Sequence, residues 1–224
     1  MPALLVVGAR GLGRELALHF AKAGWQVVSA ARTRTDVEAV ARETGGRGVV
    51  ADLADGASLA ALIAQCPELN LAVCAQTSGA PFRVGPLLEA DPQHLQKRLE
   101  AMVVGSLRFL QAAAPRMAAG GTVVQIGTSL AAAPRPGFGA LSAPQHALRA
   151  LVSAAAQELK PRLHVAYLAL EGQLATLGSK EWMERHGEAR AIPPSEVARA
   201  IEYLHGQEPR AWTHELAVRP AASD

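Results

Sequence analysis

Apolar residues recur along this chain in two different periods. Short continuous apolar runs, most of them ended by glycine or a turn residue, indicate strands that are buried on both faces. Apolar residues spaced three and four apart indicate helices between those runs. The predicted strands cover residues 3–8, 25–30, 48–55 (a strand with its following turn), 69–75, 122–127, 163–170 and 214–220. The predicted helices cover residues 11–24, 35–46, 58–66, 91–121, 140–160 and 194–206.

Strands and helices alternate from one end of the chain to the other. This order predicts an α/β fold in which one doubly wound parallel sheet of about seven strands carries helices on both faces. We expect residues 1–224 to form a single domain, since the chain shows no linker or internal repeat. An apolar fraction of 50% is enough for a large core, and with only 4% aromatic residues that core must consist mainly of Ala, Val and Leu.

Charge and cysteine content argue against several classes of partner. The net charge is only +2 and the basic residues are scattered, which disfavours binding to nucleic acid or to an acidic membrane. Cys66 and Cys74 are eight residues apart without metal-ligand spacing, so we predict two buried thiols and no metal site. No basic segment precedes the first strand and no apolar run reaches membrane-spanning length, which predicts a soluble, cytoplasmic protein.

The first candidate for chemistry is the glycine-rich turn in VVGARGLGREL (residues 6–16). Gly8, Gly11 and Gly13 stand between the first strand and the first helix, where a nucleotide pyrophosphate needs close backbone approach. Free N–H groups at the helix start, from Leu12 onward, would then hold the phosphates. The turn predicts a Rossmann-like dinucleotide site, and the alternative is a tight turn whose glycines serve packing only.

Two arginines indicate which dinucleotide is preferred. A carboxylate at the tip of the second strand would bind the ribose 2′-hydroxyl of NAD, but the first acid, Asp36, falls beyond that tip. Arg32 stands there instead, and Arg10 lies inside the glycine turn. Guanidinium groups suit a 2′-phosphate, which favours NADP(H) over NAD(H). The alternative is that both are solvated surface arginines.

On these and further motifs, the sequence resembles the short-chain dehydrogenase/reductase family along nearly its full length. The motifs are VVGARGLGREL, ADLAD, PLLEADPQHLQKRLEAMVVGSLRFLQAAAPRM, TVVQIGTS, PRPGFGALSAPQHALRALVSAAAQEL, EGQLAT and EVARAIEYL with HELAVRP. The resemblance implies a nicotinamide cofactor and a carbonyl or alcohol substrate. The implied cofactor contacts beyond the glycine turn are Asp52, Leu53, Ala75, Gly172 and Thr176.

Two departures affect the cofactor half of the motif set. Glu171 stands where the family has Pro before Gly172. The chain also has two residues between Gly8 and Gly11 where the family has three, so the phosphate loop is expected to be one residue tighter.

The catalytic positions of the family are mostly replaced. Alignment of the motifs places Thr128 at the serine position, with Ser129 as the alternative under a one-residue slip. Leu141 takes the tyrosine position, Gln145 the lysine position and Met102 the asparagine position. Leucine has no proton to give and glutamine carries no charge. Loss of general acid catalysis costs roughly 10²–10⁴ in rate, and loss of an oxyanion donor roughly 10²–10³.

Other side chains offer no convincing replacement. His146 lies five residues after Leu141, about 140° around the helix at 3.6 residues per turn. Tyr167 is predicted to pack within the sixth strand. The substrate pocket is expected between the loop 76–90 and the segment 173–193. The side chains that these two segments offer are Phe82, Arg83, Trp182 and Met183.

The long helices suggest self-association. Residues 91–118 and 140–160 are apolar on more than one face and rich in small residues. In the family the matching helices pair across a two-fold axis, which implies a homodimer or homotetramer. The alternative is that both are buried core helices.

Three functional hypotheses remain open at this point. The first is an atypical NADP(H)-dependent oxidoreductase that positions an unknown carbonyl or alcohol substrate with Thr128. The second is a catalytically inactive NADP(H)-binding sensor or partner protein. The third is a non-redox enzyme that uses the old pocket for isomerisation or elimination. Cofactor binding is common to the first two, and turnover discriminates between them.

Overall fold

A computed structural model describes residues 1–76 and 83–221 of the chain. The strands are β1 (Ala3–Val7), β2 (Gln26–Ala31), β3 (Arg47–Val50), β4 (Leu69–Cys74), β5 (Met117–Thr128), β6 (His164–Leu170), β7 (Gln173–Leu174), β8 (Ala191–Ile192) and β9 (Glu215–Val218). The helices are α1 (Leu12–Lys22), α2 (Arg34–Thr44), α3 (Gly56–Ala64), α4 (Pro92–Leu99), α5 (Gly105–Ala113), α6 (Gly139–Glu158), α7 (Lys180–His186) and α8 (Pro194–His205).

Seven strands form one parallel sheet in the order β3-β2-β1-β4-β5-β6-β9, and β7 pairs with β8 separately. The order reverses between β1 and β4, the point at which doubly wound sheets bind ligands outside the carboxyl ends of their strands. The predicted seven-stranded doubly wound sheet is therefore confirmed.

Helices cover the sheet on both faces and form two separate cores. One core joins α1, α2 and α8 to the sheet through residues such as Phe20, which is fully buried. The other joins α3, α5 and α6 to the opposite face, with Phe109 fully buried at its centre. Continuous apolar strands such as β1, in which every residue is buried, are needed because both faces of the sheet are covered.

The prediction of one continuous helix over residues 91–121 is partly wrong. A π-helical turn (Glu100–Val104) joins α4 to α5, and helical structure ends with a 3₁₀ turn at Ala114–Arg116. Residues 117–121 belong to β5 instead, because Met117 pairs with Leu69 of β4 and the Gly120 N–H donates to the Arg162 carbonyl oxygen at 2.8 Å. Alanine-rich sequence favours helix locally, but pairing with a buried neighbouring strand overrides that preference.

The sequence patterns did not predict the elements of the segment that follows β6. The short helix α7 and the two-residue strands β7 and β8 lie there. Within the described residues no helix combines the length and the apolar character that crossing a membrane requires.

Two histidines, buried His164 and half-buried His205, tie α8 to the sheet. The ring nitrogens of His164 in β6 lie 3.0 Å from the Leu204 carbonyl oxygen and 2.9 Å from the Thr213 carbonyl oxygen. On α8, His205 Nδ1 lies 3.0 Å from the hydroxyl of Thr122. Burial lowers the pKa of both imidazoles. The neighbouring His214 lowers the pKa of His164 further, against raising effects of its two backbone hydrogen bonds that are smaller than the effect of burial, and His164 lowers the pKa of His205. Both side chains are therefore held neutral in the fold.

We expect the free energy of unfolding to decrease as the pH falls below about 6.5, the ordinary pKa of histidine. The unfolded chain binds protons at that pKa and the folded chain only at lower pH, so acid favours the unfolded chain by up to about 1.4 kcal/mol per pH unit for each histidine. Urea unfolding between pH 7.5 and 5 measures this slope. His205→Gln should reduce the slope, whereas Tyr203→Phe on the exposed face of α8 should not. An unchanged slope in His205→Gln would contradict the assignment.

A second expectation concerns Gly13, where a Cβ atom would lie 2.0 Å from the Gly8 carbonyl oxygen. Gly13→Ala should lower the free energy of unfolding by about 1–3 kcal/mol, the usual cost of overpacking, because the contact is with rigid backbone. Gly56→Ala is the matched control, since its Cβ would meet nothing within 4 Å among the described residues. Equal stability of both variants in urea unfolding would show that α1 can move away from β1.

Candidate functional site

The glycine corner (residues 8–13) joins β1 to α1 by close backbone contacts. Gly8 has φ of +120° and Gly11 has φ of +50°, conformations that L-residues with a side chain rarely adopt. A Cβ at Gly13 would lie 2.0 Å from the Gly8 oxygen, and one at Gly8 would lie 3.3 Å from the Ala75 oxygen at the end of β4. The glycine corner is thus packed tightly where α1 meets the end of β1 and where Gly8 meets the end of β4.

The opposite side of the glycine corner is open. Gly11 caps α1 without a side-chain hydrogen bond, and a Cβ built on Gly11 would meet no described atom within 4 Å. The helix begins at Leu12, whose side chain is buried beneath it. A helix N-terminus with an uncovered approach favours an anion such as a phosphate.

Arg10 points away from the glycine corner and does not fill it. Its side chain is 81% exposed, and its Nε lies 3.4 Å from the Oδ2 atom of Asp36 in the first turn of α2. Arg32 follows β2 and is exposed. The fold therefore brings the carboxylate of Asp36 beside Arg10 of the glycine corner, whereas the sequence order had placed Asp36 beyond the tip of the second strand.

The predicted cofactor contacts Asp52 and Leu53 lie after β3. The Asp52 N–H donates to the Ser58 hydroxyl at 3.1 Å, and its Oδ1 accepts from the Ala54 N–H at 3.0 Å. The side chain of Leu53 is buried in the core and approaches Gly105 at the start of α5. Asp52 is therefore held in a local turn, and Leu53 offers only its backbone to a ligand.

The predicted contacts after β6 are held by a small set of local bonds. The Glu171 N–H donates to the Val218 oxygen at 2.9 Å, and the exposed Gly172 packs against Pro220. The Thr176 N–H donates to the hydroxyl of buried Ser179 at 2.9 Å. These bonds fix residues 171–179 beyond the carboxyl end of β6.

Thr128 is the last residue of β5 and stands at the same edge of the sheet. Its hydroxyl oxygen is buried and has no hydrogen-bond partner within the described residues. Leu141 is 5% exposed, and Gln145 lies one turn further along α6 on the same side of that helix. Met102 is half-buried in the π-helical turn. The edge thus presents one unpaired hydroxyl among apolar and amide side chains.

Tyr167 reaches this edge from the adjacent strand, although the sequence predicts it to pack within the sheet. Its side chain is 3% exposed, but its hydroxyl accepts from the Thr128 N–H at 3.1 Å. The same hydroxyl lies 3.2 Å from Gln145 Oε1 and 3.3 Å from the Thr128 carbonyl oxygen, either of which can accept its proton. Gly127 makes this possible, because a Cβ there would lie 1.9 Å from the phenol oxygen.

The phenol of Tyr167 is nevertheless a poor acid. Burial raises its pKa to about 12, against smaller lowering effects of the Thr128 hydrogen bond and of Arg149. The group therefore stays protonated at neutral pH and acts as a hydrogen-bond donor.

A buried polar row lies beneath this edge. Tyr167 in β6, Gln125 in β5 and Cys74 in β4 are neighbours in register. The Ser106 hydroxyl of α5 donates to Gln125 Oε1 at 3.4 Å, a weak bond. Burial raises the pKa of the Cys74 thiol to about 11, and burial likewise raises that of Cys66 to about 11. Both cysteines are free and buried, as predicted.

The remaining candidates lie on other elements, next to Thr128 in the chain, or outside the described residues. Phe82 lies outside the described residues, and Arg83 is exposed. Trp182 and Met183 are half-buried on α7, where Trp182 stacks on His186 with ring centroids 4.6 Å apart. Ser129 begins a 3₁₀ turn after β5. His146 is exposed and its Nδ1 lies 3.0 Å from the Ser142 carbonyl oxygen, which fits a helix-surface residue.

Comparisons with known proteins agree with this geometry. A family model described as short chain dehydrogenase matches residues 2–182. An uncharacterized oxidoreductase of Mycobacterium tuberculosis is 32% identical over 213 residues, which span 90% of this chain and 79% of the relative.

Solved structures share the whole fold. A short-chain dehydrogenase/reductase family protein superposes with a TM-score of 0.80 at 28% identity, covering 97% of this chain and 95% of that structure. The closed form of serine dehydrogenase complexed with NADP⁺ has a TM-score of 0.83 at 16% identity, covering 99% and 96%, and shows the fold alone. Motifs, sheet order and relatives together establish that the chain belongs to the short-chain dehydrogenase/reductase family of oxidoreductases.

Proposed function

We propose that this chain is a single-domain, NADP(H)-binding oxidoreductase whose substrate is a carbonyl compound or an alcohol. The observation that carries the proposal is the glycine corner, which is closed against β1 and β4 and open in front of α1. A dinucleotide would place its pyrophosphate at this helix start and cross the carboxyl edge of the sheet at the β1/β4 switch point. Asp52, Leu53, Ala75, Gly172 and Thr176 would border it.

The preference for NADP(H) over NAD(H) rests on charge. Arg10 and Arg32 would meet the 2′-phosphate of NADP(H), and guanidinium groups pair well with phosphate. Asp36 opposes this preference, because its carboxylate lies beside Arg10. The Arg10 side of this ion pair is exposed and the two atoms are 3.4 Å apart, so the pair contributes little to stability and Arg10 can exchange Asp36 for a phosphate at small cost.

Chemistry at this site would differ from that of a tyrosine-dependent member. Carbonyl reduction leaves negative charge on oxygen, and Leu141 has no proton for it. Thr128, whose hydroxyl has no hydrogen-bond partner among residues 1–76 and 83–221, is the group that would orient the substrate oxygen. Bound NADPH would supply the hydride, and water or the substrate itself would supply the proton.

A second candidate function is an NADP(H)-binding protein without turnover, such as a sensor or the partner of an active relative. Two observations favour it: the tyrosine position holds a buried leucine, and the phenol nearest to Thr128 has a pKa raised to about 12. Both candidates share the nucleotide site.

We also propose that the protein is a homodimer or homotetramer through the helical regions 91–118 and 140–160. Leu107 of α5 is 40% exposed, and Ala143, Ala150 and Ala154 form a small exposed face on α6. Small residues allow helices to approach closely.

Nucleotide titration tests the cofactor assignment. We expect NADPH to bind more tightly than NADH. Arg32→Ala should weaken NADPH binding by about tenfold and leave NADH binding nearly unchanged, because a charge-assisted bond to the 2′-phosphate is lost. Asp36→Asn should strengthen NADPH binding by freeing Arg10.

Fluorescence of the bound dihydronicotinamide reports these affinities. Arg210→Ala is the control, since that arginine is 90% exposed and precedes β9 at the opposite edge of the sheet. Failure of either nucleotide to bind would contradict the proposal.

Turnover separates the two candidate functions. If the protein is an enzyme, absorbance at 340 nm should decrease when NADPH and a panel of aldehydes and ketones are supplied. Thr128→Val should then lower kcat/KM by roughly 10²–10³ while NADPH affinity is kept, because an oxyanion donor is removed. Tight NADPH binding with no oxidation across the panel would overturn the enzyme and support the inactive binder.

A further inference from the structure

Exposed apolar side chains are concentrated beside the candidate site. The described residues expose eight large apolar side chains, and four of them lie on the two segments expected to border the substrate pocket, 76–90 and 173–193. These four are Val84, Leu87, Leu88 and Leu177. A single exposed leucine is ordinary, but a group of them at one site is typical of a surface that a ligand covers. The function proposed above gives none of them a role.

Residues 84–88, the apolar strip, are fixed against the start of α6. The Gly85 N–H donates to the Gly137 carbonyl oxygen at 3.0 Å. A Cβ on Gly137 would lie 3.1 Å from Cγ1 of Val84, and one on Gly139 would lie 2.9 Å from Cδ1 of Leu87. The two glycines leave room for the apolar strip to approach α6 closely. Val84 and Leu87 are therefore held beside the first turn of that helix.

The same turn of α6 carries Leu141, the residue at the tyrosine position. Leu141 follows Gly139 by two residues, and its side chain is buried. Apolar surface thus extends from the apolar strip, through the start of α6, to the place at which a proton donor is replaced by leucine. A substrate whose oxygen meets Thr128 would have this surface beside its carbon skeleton.

Leu177 stands on a second segment at the same edge of the sheet. It begins a 3₁₀ turn directly after Thr176, and its side chain is 94% exposed. The turn is fixed, because the Thr176 N–H donates to the Ser179 hydroxyl at 2.9 Å. It lies beyond the end of β6, the strand next to β5. Covering a leucine that a fixed turn holds in water is favourable, because apolar surface is removed from water.

The charged residues of these segments flank the apolar positions. The apolar strip reads VGPLL and has no charge, with Arg83 before it and Glu89 after it. Beyond Leu177, Lys180 Nζ lies 3.9 Å from the Glu184 carboxylate. The strip therefore offers a ligand apolar contact, while the Thr128 hydroxyl offers one hydrogen bond to a single oxygen.

We propose that the substrate of this site is an apolar carbonyl compound or alcohol, whose aliphatic or aromatic group lies on the apolar strip and Leu177 while its reacting oxygen meets Thr128. The inference rests on the proposed function and names the substrate class for it. Leu87 and Leu177 are the specificity-determining residues. Sugars and polyols are disfavoured, because their additional hydroxyl groups would lose water without gaining hydrogen bonds on this surface.

N-alkylformamides test the substrate class without turnover, because their carbonyl oxygen resembles that of an aldehyde but their carbonyl carbon accepts no hydride from NADPH. Protein saturated with NADPH is titrated by calorimetry with the series from N-propylformamide to N-octylformamide. We expect Kd to decrease by about 2- to 4-fold for each added methylene that the apolar surface covers. A hydroxyl group at the end of the alkyl chain should weaken binding by about tenfold.

Two leucine variants locate the alkyl chain. Leu87→Ser and Leu177→Ser should each reduce the gain in affinity per methylene by about half and leave NADPH affinity unchanged, because each removes apolar surface without touching the nucleotide site. Tyr203→Ser, at an exposed tyrosine on α8, is the matched control and should keep the full gain. All three side chains are exposed, and urea unfolding verifies that each variant is folded.

Three outcomes would overturn the inference. The first is a Kd that does not depend on chain length. The second is a full gain per methylene in both leucine variants, which would place the alkyl chain elsewhere. The third is loss of self-association in the leucine variants with an unchanged formamide series, which would assign the apolar strip to a protein interface.

Failure of NADPH to bind is a separate result that contradicts the proposed function. The formamide series is then measured on the protein without nucleotide. Affinity that rises with chain length and falls in Leu87→Ser would support the apolar site alone, whereas a flat series would overturn both.

Discussion

The site depends on one approach of backbone to backbone at the first βα connection. The Gly8 carbonyl oxygen lies where a Cβ on Gly13 would be, so α1 can sit against β1 only with glycine at that position. The same packing brings Gly8 to Ala75 and sets the end of β4 beside the start of α1. With the protein side closed in this way, the free approach to the helix N-terminus faces the carboxyl edge of the sheet, where phosphates bind in folds of this type.

A second close approach, between Tyr167 and Gly127, organises the other half of the site. It links three elements, because the phenol bonds to Thr128 of β5 and to Gln145 of α6 while its ring remains in β6. In this arrangement a phenol and an amide lie at the carboxyl edge of the sheet, and neither carries a charge at neutral pH. Hydrogen bonds between neutral groups therefore hold β5, β6 and α6 together at this edge.

Charge near the glycine corner is more balanced than the arginines alone indicate. Arg10 contacts Asp36, whereas Arg32 is exposed beyond β2. Ion pairs that solvent reaches are weak. Under the proposed function, one carboxylate and the 2′-phosphate of the cofactor would therefore compete for the Arg10 guanidinium group.

The sequence by itself determined the alternation of the main strands and helices, the glycine corner and the family. These features are local, since a period of two or 3.6 residues or a glycine spacing can be read within a short window. Only the tertiary structure decided that residues 117–121 extend β5, that Asp36 meets Arg10, and that Tyr167 reaches Gln145. Each of these contacts joins residues that are distant in the chain, and strand register together with helix packing brings them together. No local pattern encodes that register, because the alanine-rich segment suits helix and the tyrosine suits an ordinary buried strand until the neighbouring strand and Gly127 are in place.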